Sequence, residues 1–325
     1  MGRIVSFGKA INEALHQEME RDESVFIIGE DVAKMGGDFG ITRGIWQRWP
    51  DRAKDTALSE AAIIGLSCGA AISDLRPVAE IMFADFIGVA YDQLVNNAAK
   101  LRFMFNGEVN CAIVVRAATG GGIRCAYHHS QCVEPWLMCV PGLVIVAPST
   151  PYDAKGLLIA SIRNNNPVIF LEHKTLYNSK GEVPEEIYEL ELFKAEVKKE
   201  GTDITLVATM AMLKLAYEAA EELAGEDIGV EIIDPRTLFP LDKATVFESV
   251  AKTGRLVIVH EGPKGLGFGA EVSAMVTEEM FEYLKAPIKR VTTLDVHIPF
   301  SPVLEDYVAP TTGHVVKACQ ETMEF

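Results

Sequence analysis

From Glu60 to Phe83 the chain reads EAAIIGLSCGAAISDLRPVAEIMF. The stretch opens on a single carboxylate and continues as a long apolar run, and Ser59 ahead of it is a residue type that caps helices. Its second half, Arg76–Phe83, is a short continuous apolar segment of the kind that forms a strand buried on both faces. A helix at Glu60–Ser73, a strand at Arg76–Phe83 and a further helix-like stretch at Ile87–Phe103 make the repeating unit of a parallel α/β sheet. The same alternation extends outward. Strands are predicted at Val25–Gly29, Ala112–Ala117, Leu143–Ala147 and Val168–Glu172, and helices at Ser6–Arg21 and Pro151–Asn164.

From Ser179 to Gly201 the chain is dense in charge, a composition that suits an exposed connection. A second alternation follows: strand Asp203–Thr209, helix Met212–Ala224, strand Val230–Asp234, helix Lys243–Thr253, strand Leu256–His260, helix Glu271–Glu282 and a late strand near Arg290–Thr293. The expected fold is therefore α/β, with two three-layer domains at 1–178 and 201–325 joined by a charged linker at 179–200.

Composition narrows the function. The 325 residues are 49% apolar with a formal net charge of −16 and no Lys/Arg-rich run, which argues against nucleic acid or an anionic membrane as partner. The weakly polar stretch Ala61–Ile72 is too short to span a bilayer. No signal or transit peptide is visible in Met1–Ser6, so a cytoplasmic protein is expected. Six cysteines, none in a Cys-x-x-Cys pair, read as reduced and mostly buried thiols rather than a zinc site.

Each motif has a bland reading beside the functional one. Glu60 could simply be an acid favoured at the positive end of a helix. Gly265-Leu266-Gly267-Phe268-Gly269-Ala270 formally matches a dinucleotide fingerprint. It sits late in the chain, and the next acid past the helix, Asp295, is too distant, so a turn allowing close packing is the better reading. Gly120-Gly121-Gly122 falls after a predicted strand, where ligands gather in open α/β sheets. His128 and His129 lie just beyond it. One histidine alone is more often structural, whereas two beside a glycine loop are candidates for chemistry.

Taken together, Ile28-Gly29-Glu30-Asp31-Val32, Leu58-Ser59-Glu60, Leu75-Arg76-Pro77-Val78, Ala84-Asp85-Phe86, Gly121-Gly122-Ile123-Arg124, His129-Ser130-Gln131 and Gly267-Phe268-Gly269-Ala270-Glu271 carry a resemblance. The chain resembles, essentially end to end, the β subunit of the thiamine-diphosphate-dependent dehydrogenase component of 2-oxo acid and acetoin dehydrogenase complexes, a transketolase-like family. The resemblance implies an N-terminal pyrimidine-binding parallel-sheet domain and a C-terminal transketolase-type domain.

It also implies roles. Glu60 would share a proton with the aminopyrimidine of thiamine diphosphate, Phe86 would stack on that ring, and Leu58 and Glu30 would complete the cofactor contacts, Glu30 as an acid linked to Glu60. His129 would donate a proton during acyl transfer to a lipoyl group. Ile113, Ser161, Ile162, Asn164 and Asn166 match positions that hold a monovalent cation (K+) in some members, although the acid usual at the Asn164 position is absent. The chain has no Gly-Asp-Gly segment for the diphosphate and its Mg2+, so these would be held by a separate α subunit in a two-α, two-β heterotetramer that serves a lipoyl acyltransferase. Acetoin is the favoured substrate. Pyruvate is the alternative, and a transketolase-like half-enzyme acting on sugar phosphates is the further one.

Overall fold

The computed structural model describes residues 2–325. The chain forms two compact units, one built from residues up to Thr119 together with Trp136–Leu192, the other from Gly120–Pro135 and Phe193–Phe325.

The first unit contains β1 (Arg3–Ser6), β2 (Val25–Gly29), β3 (Ala53–Asp55), β4 (Arg76–Ile81), β5 (Val114–Thr119), β6 (Val144–Val146), β7 (Val168–His173) and β8 (Lys180–Val183). Its central strands run in the order β6-β7-β5-β4-β2-β3, every neighbouring pair parallel. Every residue of β5, β6 and β7 is buried, as expected of strands covered on both faces. Helices Phe7–Arg21 and Pro151–Arg163 share one core with this sheet, through Phe7, Ile11, Leu15, Leu157, Leu158 and Phe170. Ser6 caps the first of these helices by accepting the Lys9 N–H at 3.2 Å, and Thr150 caps the second by accepting the Asp153 N–H at 3.1 Å.

Three local expectations change. Ser59 occupies the N-cap position of helix Glu60–Ala71, but its side chain makes no capping hydrogen bond. The single helix expected over Ile87–Phe103 is divided into Ile87–Asp92, a π-helical turn Gln93–Ala98 and a short helix Leu101–Met104. Here Asn96 and Asn97 bond back to Asp92 and Gln93 at 2.7 and 2.9 Å, and the Ala99 N–H reaches five residues back to Leu94. The charged stretch 179–200 is partly strand: β8 pairs antiparallel with β1, and buried Lys155 donates to the carbonyls of Pro184, Glu185 and Glu186 at 2.8, 3.1 and 2.9 Å.

The second unit contains β9 (Glu196–Lys199), β10 (Ile204–Ala208), β11 (Val230–Asp234), β12 (Thr237–Phe239), β13 (Leu256–Pro263) and β14 (Lys289–Thr293). Five of them form a sheet in the order β14-β13-β10-β11-β9, with β9 antiparallel to β11 and the other pairs parallel. Helices Met212–Ala224 and Thr312–Met323 cover one face around Leu213, Ala216, Leu223, Val315 and Cys319. Among the described residues no helix is long and apolar enough to cross a membrane.

Candidate active site

The parallel strands of the first unit end on one edge, where their connections carry the chemistry-bearing side chains. β2 ends at Gly29, so Glu30 is the first residue past the sheet. Asp31 then turns the chain through a left-handed conformation at φ +52°. The Thr56 N–H donates to the Gly29 carbonyl at 2.9 Å, tying the segment that leads into helix Glu60–Ala71 to the end of β2. Glu60 is the first residue of that helix and is half-buried, while Leu58 just ahead of it is 84% exposed.

The two acids are electrostatic neighbours. Glu30 is 8% exposed, and its Oε1 is buried without a hydrogen-bond partner. Burial raises its proton affinity above the usual carboxylate range, and the charges of Glu60 and Asp31 raise it further. Glu30 therefore holds a proton more readily than a solvated carboxylate does. Past β4 the chain makes a single tight turn, Ala84–Phe86, which leaves Phe86 half-buried with its ring edge-on to Phe83 at 6.3 Å. Phe83 in turn packs edge-on to Phe39, and Phe39 lies against Tyr177 at 4.9 Å.

The structure therefore brings Glu30 and Glu60 together and places Leu58 and Phe86 on connections at the same edge. His129 belongs to the second unit: after β5 the segment Gly120–Pro135 packs there, with His129 half-buried and its ring 4.4 Å from that of His128. A carboxylate pair with one acid orphaned in the interior, an aromatic face and an exposed leucine is a donor set that fits an aminopyrimidine ring. Among the described residues no three His, Cys, Asp or Glu side chains cluster as a metal site.

Comparison with known proteins gives the family. Residues 4–180 match the transketolase pyrimidine binding domain, and residues 193–315 match the transketolase C-terminal domain. The β subunit of acetoin:2,6-dichlorophenolindophenol oxidoreductase from Cupriavidus necator is 46% identical, over 100% of this chain and 99% of its own. The chain belongs to the transketolase-like β-subunit family of acetoin and 2-oxo acid dehydrogenases. The pyruvate dehydrogenase E1 component β subunit of Staphylococcus epidermidis is 43% identical over 98% of each chain. A split-gene transketolase, described as an inactive β4 tetramer, has the same fold, with a TM-score of 0.81 at 22% identity over 98% of each chain.

Within this β-subunit fold the sheet carries a buried ion network that the sequence analysis did not single out. Arg116 on β5 is 2% exposed and lies opposite Glu80 of β4 in the parallel register. It donates to Glu80 Oε2 at 2.5 Å and makes a fork to Glu172 of β7, Nε to Oε1 at 2.7 Å and Nη2 to Oε2 at 2.8 Å. Tyr177 adds its hydroxyl to Glu172 Oε2 at 2.9 Å. Burial disfavours the Arg116 charge, but Glu172 and Glu80 more than offset it, so the guanidinium stays charged. Glu80 is pushed up by burial, partly relieved by Arg116. The side chains of this network lie among β4, β5 and β7, below the edge that carries Phe86. Alternation of polar residues within otherwise apolar strands is the only sequence signal that could have flagged it.

The five positions expected to hold a monovalent cation gather at the opposite end of the sheet, and four of them, Ile113, Ser161, Ile162 and Asn164, have carbonyls that accept from protein donors. Arg76 Nη1 donates to the carbonyls of Ile162 and Asn164 at 2.9 and 3.1 Å. Val168 N–H takes the Ile113 carbonyl at 2.9 Å, and Asn164 N–H takes that of Ser161 at 3.2 Å. The Asn164 side chain accepts from Asn166 N–H and Nδ2 at 2.8 and 3.0 Å. A guanidinium bonded to two of these carbonyls sets a fixed positive charge against them, which opposes K+ binding in this arrangement. The thermal midpoint of the assembled complex is accordingly expected to be the same in potassium and sodium chloride at equal ionic strength. A potassium-specific rise would show that the carbonyls open to take an ion.

Proposed function

We propose that this chain is the pyrimidine-binding half of a thiamine-diphosphate-dependent dehydrogenase that cleaves acetoin and passes the acyl group to the lipoyl-lysine of a partner acyltransferase. The observation that carries the reading is the coupled pair Glu30–Glu60 at the carboxyl edge of the first sheet. When bound, thiamine diphosphate supplies a nucleophilic carbon that attacks a carbonyl and stabilises the electron pair left on cleavage. Glu60 holds the proton shared with the pyrimidine nitrogen, and Glu30, which retains its own proton longer than a solvated acid, tunes that sharing. Phe86 and Leu58 shield the ring from water, and His129 supplies the proton for acyl transfer.

The diphosphate and its Mg2+ fall to an α subunit, because this chain lacks the Gly-Asp-Gly segment that the family uses. The first unit supports the need for a partner: Leu58, Leu66, Val89, Phe103 and Met104 are exposed by 84, 60, 57, 89 and 65%, more apolar surface than scattered exposure accounts for. A two-α, two-β assembly would cover it.

The preference for acetoin draws on Phe103-Met104-Phe105, Glu172–Tyr177 and Gly181–Glu186, which resemble acetoin β chains, and on the acetoin relative at 46% identity, against 43% for the pyruvate relative. The test is kcat/KM for acetoin, pyruvate and 2-oxoisovalerate with an artificial electron acceptor, using the chain assembled with its α subunit. Acetoin should lead by at least about tenfold, roughly 1.4 kcal/mol of differential transition-state binding. A lead for either 2-oxo acid would move the chain to that branch of the family.

A further inference from the structure

The segment Gly120–Pro135 is held in a conformation that its backbone resists. Gly120 and Gly122 have φ of +82° and +89°, and Arg124 and Ala126, which carry Cβ atoms, have φ of +64° and +61°. Such a turn needs restraint from outside, and carboxylates of the second unit supply it. The Gly121 N–H donates to Glu261 Oε1 at 2.5 Å, and the Gly122 N–H donates to Glu305 Oε1 at 2.6 Å. Glu305 Oε2 also accepts from Arg124 Nη1 at 2.9 Å. A Cβ on Gly121 would lie 3.1 and 3.2 Å from the two carboxylates, so both crowd a position that has no side chain.

The far end of the segment carries a third acid. Glu134 is 1% exposed, its Oε2 is buried without a partner, and the charge of Glu261 bears on it. The other titratable neighbours are His260 on β13 and Cys132 on the segment itself, around Gly262. His260 is fully buried and accepts the Gly269 N–H through Nε2 at 3.2 Å, and burial lowers it to about 4, so it stays neutral and gives Glu134 no counter-charge. Burial and the Glu261 charge push Glu134 up to about 7.

We propose that Glu261, Glu305 and Glu134 are positioning residues for the segment that carries His129: the first two clamp its glycine amides, and Glu134 keeps the clamp closed while it holds a proton. Loss of that proton sets a second buried negative charge against Glu261 and weakens its hold on the Gly121 amide. The proposal rests on the catalytic role given to His129, but the clamp itself can be measured without turnover.

The experiment is amide hydrogen exchange over residues 120–131 in the assembled α–β complex at pH 6 and pH 8, corrected for the intrinsic pH dependence of exchange. Protection in the unmodified complex should fall by about tenfold or more between the two, the effect of one pKa unit of interaction. In Glu134→Gln, which mimics the protonated acid, protection should be high at both pH values. In Glu305→Gln it should be low at both. Equal protection at pH 6 and pH 8 in the unmodified complex, or an unchanged pH dependence in Glu134→Gln, would overturn the proposal. Should Glu134→Gln fail to assemble, the unmodified complex and Glu305→Gln decide it. His129→Ala separates the two readings: it should lower acyl transfer while leaving the exchange pattern intact, and full activity in that variant would remove the catalytic role and leave the clamp standing.

Discussion

Glu60→Gln should abolish turnover of the assembled enzyme while leaving the chain folded. A positioned acid–base group contributes about 10²–10⁴-fold to rate, and the amide cannot carry the proton that the pyrimidine must share. The change removes a charge but almost no volume. Glu60 is half-buried in the first turn of its helix, so the lost dipole interaction costs about 0.3–1 kcal/mol, too little to unfold the unit. A second consequence separates this reading from a plain helix-start acid. The Glu60 charge is one cause of the raised proton affinity of Glu30, so in the variant Glu30 should titrate at lower pH. Turnover and the pH titration of Glu30 by carboxyl-resolved NMR or infrared difference spectra check both parts. Retained turnover would remove Glu60 from the mechanism.

The largest stability effect should come from Arg116→Met. The buried guanidinium is bonded to both Glu80 and Glu172, and its removal leaves two acids facing each other in the sheet interior. Breaking a buried ion pair from one side costs about 3–5 kcal/mol. The sign of the pH dependence follows. Glu80, already raised by burial, would lose the relief that Arg116 gives it, so the folded state binds more protons and stability falls as pH rises through that window. The variant should therefore be least stable at pH 8 and recover toward pH 5, by urea or thermal unfolding. Adding Glu80→Gln to Arg116→Met should restore part of the loss at pH 8. A pH-independent loss would mean that packing of the long side chain, not charge, is what matters there.

How much of this was legible in the sequence depends on how local the cause is. The strand Val25–Gly29, the helix Met212–Ala224, the strand Val230–Asp234 and the helix Lys243–Thr253 are found at their predicted ends. Each is set by its own apolar pattern and by local stops such as Gly254, which ends its helix at φ +74°. The site acids were legible only through resemblance, since Glu60 by itself is an unremarkable first-turn acid. What escaped is non-local. Arg116 finds Glu80 and Glu172 at separations of 36 and 56 residues, and Glu305 meets Gly122 across 183. The strands at Lys180–Val183 and Glu196–Lys199 were hidden by their charge, because edge strands paired on one side need no apolar run. Helices Pro302–Val308 and Thr312–Met323 lie beyond the last predicted element.

The most direct test of the central claim is acetoin-dependent reduction of an artificial electron acceptor by this chain alone, by its α subunit alone, and by the two together, each with thiamine diphosphate and Mg2+ present or withheld. Activity that needs both chains and the cofactor is the predicted result. Cofactor-independent activity, or full activity from this chain alone, would contradict it.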